Sequence, residues 1–147
     1  MIAVDTNILV YAHRRDCPWN AAAYACIREL CAQRAQWAIA WPCLYEFFAI
    51  VTHPRIYAPP SSAEQALTQI DAWLKAPNLV LLSEEPSHCS RLQEQLVQGQ
   101  VTGALVHDAK IATLCLVHGV SELWTADRDF SRFPRLISHN PLMQSAK

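Results

Sequence analysis

Met1-Ile2-Ala3-Val4-Asp5-Thr6-Asn7 is the stretch whose reading decides the fold. Ile2 to Val4 is apolar, β-branched at two of three positions and free of turn formers, which predicts a short buried strand. Asp5 ends it, and Thr6 and Asn7 follow at once. In a parallel α/β sheet, ligands bind just beyond the carboxyl ends of the strands. An Asp at that point is placed to hold a cation or a phosphate, or simply to cap the helix that follows.

Outward from this stretch, strand-like and helix-like segments alternate. Residues 8–13 leave the strand as a short helix or loop. Asp16 is a candidate N-cap, with Pro18 in the first turn of a helix reaching about Ala35 and burying Ala23, Cys26, Ile27 and Leu30. Trp37 to Ala40 reads as a second strand. Pro42 opens a helix that His53-Pro54 stops. Ser61 and Glu64 have the offset of a capping box, and the helix they start carries Leu67, Ile70 and Leu74 on one stripe, either core-facing or the wall of a groove for a partner helix. Leu79 to Leu82 is a third strand. A helix from near Pro86 ends at Gly99, a candidate C-cap, and Thr102 caps the next, which Gly119 terminates. Leu123 to Thr125 is a fourth strand and Leu136-Ile137 a short last one. The order is approximately β-α-α-β-α-α-α-β-α-α-β, which predicts a parallel sheet with helices on both faces. A single domain over residues 1–140 with a loose tail at 141–147 is expected.

Composition narrows the function classes. Half of the 147 residues are hydrophobic and 17% are charged, as in an ordinary globular domain. Three glycines are too few for glycine-rich phosphate or dinucleotide loops. No apolar run approaches the ~20 residues of a membrane span, and no basic segment followed by an apolar run suggests a leader. The six cysteines form no C-x-x-C pair, against a zinc site and consistent with reduced thiols in a cytoplasm. The net charge of −1 supplies no global attraction for nucleic acid.

The acids carry the chemistry. Asp127, like Asp5, falls just past a strand, and Asp129 follows two residues later. Asp108 shares a helix face with Leu105, Ala112 and Cys115, at steps of three, four and three. Glu46 sits among Leu44, Tyr45, Phe47, Phe48, Ile50 and Val51. Carboxylates on buried faces are costly unless paired or bound to metal. No Lys or Arg is placed to neutralise them, and mutual repulsion would raise their pKa values. Divalent cations resolve this, and hard oxygen donors favour Mg²⁺ or Mn²⁺. Such a site suits metal-assisted phosphodiester hydrolysis.

Val4-Asp5-Thr6-Asn7, Tyr45-Glu46-Phe47, His107-Asp108-Ala109-Lys110-Ile111-Ala112 and Thr125-Ala126-Asp127-Arg128-Asp129-Phe130, in that order and spacing, resemble the PIN-domain family and, within it, the VapC-type toxins of bacterial toxin–antitoxin pairs. The resemblance implies a five-strand parallel sheet between helices. It makes Asp5, Glu46, Asp108 and Asp127 the catalytic, metal-binding acids, with Asp129 as an auxiliary ligand. Thr6, Asn7 and Thr125 would orient the carboxylates or water. It further implies Mg²⁺- or Mn²⁺-dependent cleavage of RNA by metal-activated water, a homodimer, and a VapB-like antitoxin through which alone DNA is contacted.

Around this core of acids, Arg14, Arg15, Arg55 and Arg128 are candidates to grip RNA phosphates, Arg128 first because it lies between two acids. Solvated surface is the alternative for each. Two rival functions remain open. Haloacid-dehalogenase-like phosphatases also place an Asp after the first strand, but need a second Asp where this chain has Asn7. A catalytically degenerate PIN module that binds RNA or protein would not need the intact acids.

Overall fold

The computed structural model describes residues 1–145. Five parallel strands, β1 (Ile2–Val4), β2 (Trp37–Ala40), β3 (Leu79–Leu82), β4 (Glu122–Trp124) and β5 (Ser138–His139), form one sheet in the order β3-β2-β1-β4-β5. β2 is buried along its whole length, as a strand covered on both faces must be. The described residues also form six α-helices, α1 (Thr6–His13), α2 (Asn20–Ala32), α3 (Trp41–Val51), α4 (Ala63–Leu74), α5 (His88–Gln98) and α6 (Val106–Val117), and three short 3₁₀ turns. The predicted α/β architecture with a five-strand parallel sheet is therefore the observed one.

The register places the site. Val4 of β1 lies opposite Trp124 of β4, and the Asp5 N–H continues the ladder by donating to the Trp124 carbonyl at 2.9 Å. Residues 120 apart in sequence, Asp5 and Thr125, thus leave the sheet side by side at its carboxyl edge. The strands are short, so each chain turns into a helix or turn at that edge.

Local boundaries differ from expectation where a side chain has a better partner. Asp16 does not cap α2. Its carboxylate receives Arg14 Nε at 2.9 Å and Nη2 at 2.6 Å, and the helix starts later, at Asn20, with no side-chain cap. The capping box of α4 is built by Ser62 and Gln65, not Ser61 and Glu64, because the Ser61 hydroxyl meets His13 Nε2 at 2.9 Å and accepts from Arg14. Thr102 makes no cap bond, and a 3₁₀ turn, Gly103–Leu105, precedes α6. Gly99 is the C-cap of α5 as expected, but with an ordinary φ of −80°. The left-handed residue is Gln100 at +49°, and Gly99 is small because a Cβ there would come within 3.0 Å of the Phe133 ring. Gly119 does take a positive φ, +70°, and ends α6 as expected.

Three corrections concern packing. The stripe Leu67, Ile70 and Leu74 splits: Ile70 packs against the core, but Leu67 is 57% and Leu74 40% exposed, while Ala66 and Trp73 are buried. Trp73 sets this rotation by seating its ring edge-on against Phe47 at 4.9 Å between centroids. The last strand is Ser138–His139 rather than Leu136-Ile137, since Leu136 turns into the core. The expected tail begins with a 3₁₀ turn, Pro141–Ser145, whose Leu142 is buried; the remainder of that stretch, 146–147, lies outside the described residues.

Asn78 joins three of these pieces. Its Nδ2 donates to the carbonyls of Leu30, Gln33 and Ala35 at the end of α2, and its Oδ1 accepts from Trp37 Nε1. Replacing Asn78 with Ala leaves carbonyls at a helix end and a tryptophan N–H unpartnered. The expected cost is about 3 kcal/mol, a fall in melting temperature of roughly 10 °C, measured by circular dichroism.

Candidate active site

Asp5 anchors the site. Only 4% exposed, it caps α1 by accepting from the Thr6 N–H at 2.8 Å through Oδ1. Oδ2 accepts from the Thr125 hydroxyl at 2.7 Å and from Asn7 Nδ2 at 3.0 Å. Cys43 Sγ, fully buried, approaches Oδ1 at 3.8 Å. Burial nevertheless dominates: the Asp5 pKa is raised to about 6, with Glu46 and Asp127 adding like charge.

Glu46, Asp127 and Asp129 are tied to this anchor through short polar side chains and the turn after β4. The Thr6 hydroxyl donates to Glu46 Oε2 at 2.8 Å, so one residue links Asp5 to the helix after β2. Asn7 also donates to Thr125 Oγ1 at 3.1 Å and accepts the Ala126 N–H at 3.0 Å. Thr125 Oγ1 in turn accepts the Asp127 N–H, and Asp127 Oδ1 accepts the Asp129 N–H at 2.8 Å. Carboxylate oxygens of Asp108, Asp127 and Asp129 lie within 4.8 Å of one another. Asp108, on the first turn of α6, has its pKa raised to about 6 by burial first, then by the charges of Asp127, Asp5, Asp129 and Glu46. All five acids predicted from the sequence therefore share one neighbourhood; Thr6, Asn7 and Thr125 link Asp5, Glu46 and Asp127, and Asp108 approaches without a hydrogen bond. None of the ion pairs among the described residues involves any of the five.

The model of the PIN domain matches residues 2–136. The chain belongs to the PIN-domain family. It is similar to ribonuclease VapC43 of Mycobacterium tuberculosis, 31% identical over 97% of this chain and 96% of that protein. Among solved structures, VapBC2 of Rickettsia felis, crystallised with a fragment of its promoter DNA, superposes with a TM-score of 0.68 at 24% identity, covering 95% of this chain and 98% of that one. VapC20 of M. tuberculosis, a toxin that cleaves the sarcin–ricin loop, superposes at 0.67 with 14% identity over 89% and 93% of the two chains.

The arginines of this PIN domain divide. Arg14 is committed to protein: it holds Asp16, donates to Ser61 and to the Pro59 carbonyl, and lies 4.3 Å above the Tyr57 ring. It is therefore set apart from the free rim expected of a phosphate-gripping residue. Arg15, Arg55 and Arg128 are exposed. Two groups at the site escaped the sequence reading. Cys43 gave no signal beyond its place in an apolar helix. Tyr11 did, since it stands four residues after Asn7 and shares its face of α1.

The pKa shifts have a definite sign. A carboxyl whose folded-state pKa exceeds its unfolded value stabilises the fold at low pH, and that contribution is lost as pH rises through about 6. Asp108 accepts no hydrogen bond from a described residue, so Asp108→Asn removes charge without breaking a contact. Its metal-free form is expected to be more stable than wild type at pH 7.5 by about 1 kcal/mol after solvent screening, roughly 4 °C in melting temperature. The gain should vanish near pH 4, which thermal melts across pH will show.

Proposed function

We propose that this chain is the endoribonuclease toxin of a type II toxin–antitoxin pair, hydrolysing RNA phosphodiesters at a divalent-cation site made by Asp5, Glu46, Asp108, Asp127 and Asp129. The observation that carries the proposal is the gathering of these five carboxylates, from four separate parts of the chain, with no cationic side chain among the described residues paired to them. The donor set suits a hard divalent cation: all the candidate ligands are carboxylate oxygens, three are within one cation's span, and the raised pKa values of Asp5 and Asp108 are what a cation-binding cluster shows in the cation's absence. Mg²⁺ or Mn²⁺ fits this chemistry. Bound there, it would supply a water nucleophile at neutral pH and withdraw charge from the phosphate.

The chain's own residues do the positioning. Thr125 and Asn7 fix both the place and the rotamer of Asp5. Thr6 holds Glu46 at Oε2, leaving Oε1 able to orient the attacking water or take its proton. The backbone turn after β4 aims Asp127 and Asp129 at Asp108. Asn7 also disfavours the phosphatase alternative, because its amide is consumed by Asp5, Thr125 and Ala126 and cannot serve as an acid or base.

The partners proposed with it are an RNA substrate, a VapB-like antitoxin whose other end contacts operator DNA, and a second copy of the chain in a homodimer; the likeness to VapBC2, crystallised with promoter DNA, supports the antitoxin. Leu67 and Leu74, left exposed on α4, offer apolar surface for a protein partner. No helix among the described residues is long and apolar enough to cross a membrane, and a cytoplasmic setting fits these partners.

Purified protein should cleave RNA with added Mg²⁺ or Mn²⁺ and stop with excess chelator. Asp5→Asn and Asp108→Asn should each lose about 1,000-fold in rate, equivalent to ~4 kcal/mol of barrier, while keeping a native circular dichroism spectrum. An Asp5→Asn protein that cuts RNA at the wild-type rate would contradict the assignment, as would chelator-resistant cleavage.

A further inference from the structure

α1 buries Thr6, Ile8, Leu9, Val10 and Ala12, which leaves Asn7 and Tyr11 as a partly open pair one helical turn apart. The Tyr11 ring packs on the core and its backbone carbonyl is held by Asn20 Nδ2 at 2.8 Å, so the side chain springs from a rigid base. No described residue hydrogen-bonds its hydroxyl. Tyr11 stands one turn on from Asn7, whose amide binds Asp5 and Thr125, so the ring lies on the face of α1 that the site uses. Burial, then the charges of Cys17, Asp127 and Asp5, hold its pKa above the ordinary 10, and the phenol stays a proton donor at neutral pH.

Apart from the exposed Arg128, the donors that α1 and the turn after β4 set around Asp5 are already in use. The Asn7 amide is occupied by Asp5 and Thr125. The N–H groups of Asp127 and Asp129 are occupied by Thr125 and Asp127. Arg14 is bound to Asp16, Ser61 and Pro59. A phosphodiester brought against five carboxylates needs a neutral or positive donor to hold it, and a phenol O–H is a strong donor to a phosphate oxygen.

We propose that Tyr11 is a substrate-binding residue of this site, its hydroxyl donating a hydrogen bond to a non-bridging oxygen of the RNA backbone next to the bond that is cut. The inference rests on the ribonuclease reading and adds to it a contact made by α1 rather than by any acid. The hydroxyl forms no bond to the acids themselves, so its removal should affect RNA and not the cation.

The test compares wild type with Tyr11→Phe, which keeps the ring and removes only the hydroxyl. Cleavage of an oligoribonucleotide substrate is followed at saturating Mg²⁺, alongside the Mg²⁺ concentration giving half-maximal activity and the melting temperature. RNA affinity is measured separately in the Asp108→Asn background, with and without Tyr11→Phe. The expected result is a loss of roughly 10- to 100-fold in kcat/KM, a matching loss of RNA affinity, and an unchanged Mg²⁺ requirement and melting temperature. Wild-type kcat/KM and affinity in Tyr11→Phe would overturn the inference. So would a loss explained by a higher Mg²⁺ requirement or a lower melting temperature, which would make Tyr11 a support of the acids. A wild-type protein that cleaves no RNA would instead fail the ribonuclease reading itself, and this inference with it.

Discussion

A carboxylate held below the surface at the junction of two strands is the constraint on which this molecule turns. Asp5 sits where β1 and β4 end side by side, and its oxygens receive donors from Thr6, Asn7 and Thr125. Each donor belongs to a different requirement. Thr6 starts a helix, Asn7 bridges to the segment after β4, and Thr125 continues the sheet by donating its N–H to His139. The sheet register and the site geometry are therefore one arrangement.

That arrangement works against stability. Burial raises the Asp5 pKa, and crowding adds to the rise at Asp108, so at neutral pH the fold carries charges it would hold more easily as protonated acids. The surrounding core offsets this. α6 buries Ala109, Ile111, Ala112, Thr113, Leu114 and Cys115 directly behind Asp108, and β2 lies fully covered beneath Glu46's helix. A rigid apolar frame lets a repulsive cluster persist, and a cluster of unpaired carboxylates is what a divalent cation binds most readily. Instability and cation binding have the same electrostatic origin.

The side chains around the cluster show how local chemistry is divided. Arg14 and Asp16, adjacent in sequence to the site helix, are used to fasten the loop at 57–61 through Tyr57, Pro59 and Ser61. Arg15, Arg55 and Arg128 stay in solvent. The chain thus separates cations that hold the protein together from cations left free to meet a polyanion, and it keeps both kinds off the carboxylates.

The sequence by itself determined the alternation of strands and helices, the parallel sheet, and the identity of the acids, because apolar runs ending in Asp at strand boundaries, and carboxylates within apolar helices, are local patterns with few physical explanations. It also identified Thr6, Asn7 and Thr125 as companions of those acids through the family resemblance. It did not determine which of two adjacent serines caps α4, whether Asp16 caps a helix or pairs with Arg14, or which face of α4 turns inward. Those choices compare nearly equal local options, and contacts distant in sequence decide them: His13 with Ser61, the Pro59 carbonyl with Arg14, Phe47 with Trp73. Only the tertiary structure lets the charge of Asp127 reach the Tyr11 phenol, because that residue lies more than a hundred positions along the chain, across two strands whose register no local pattern records.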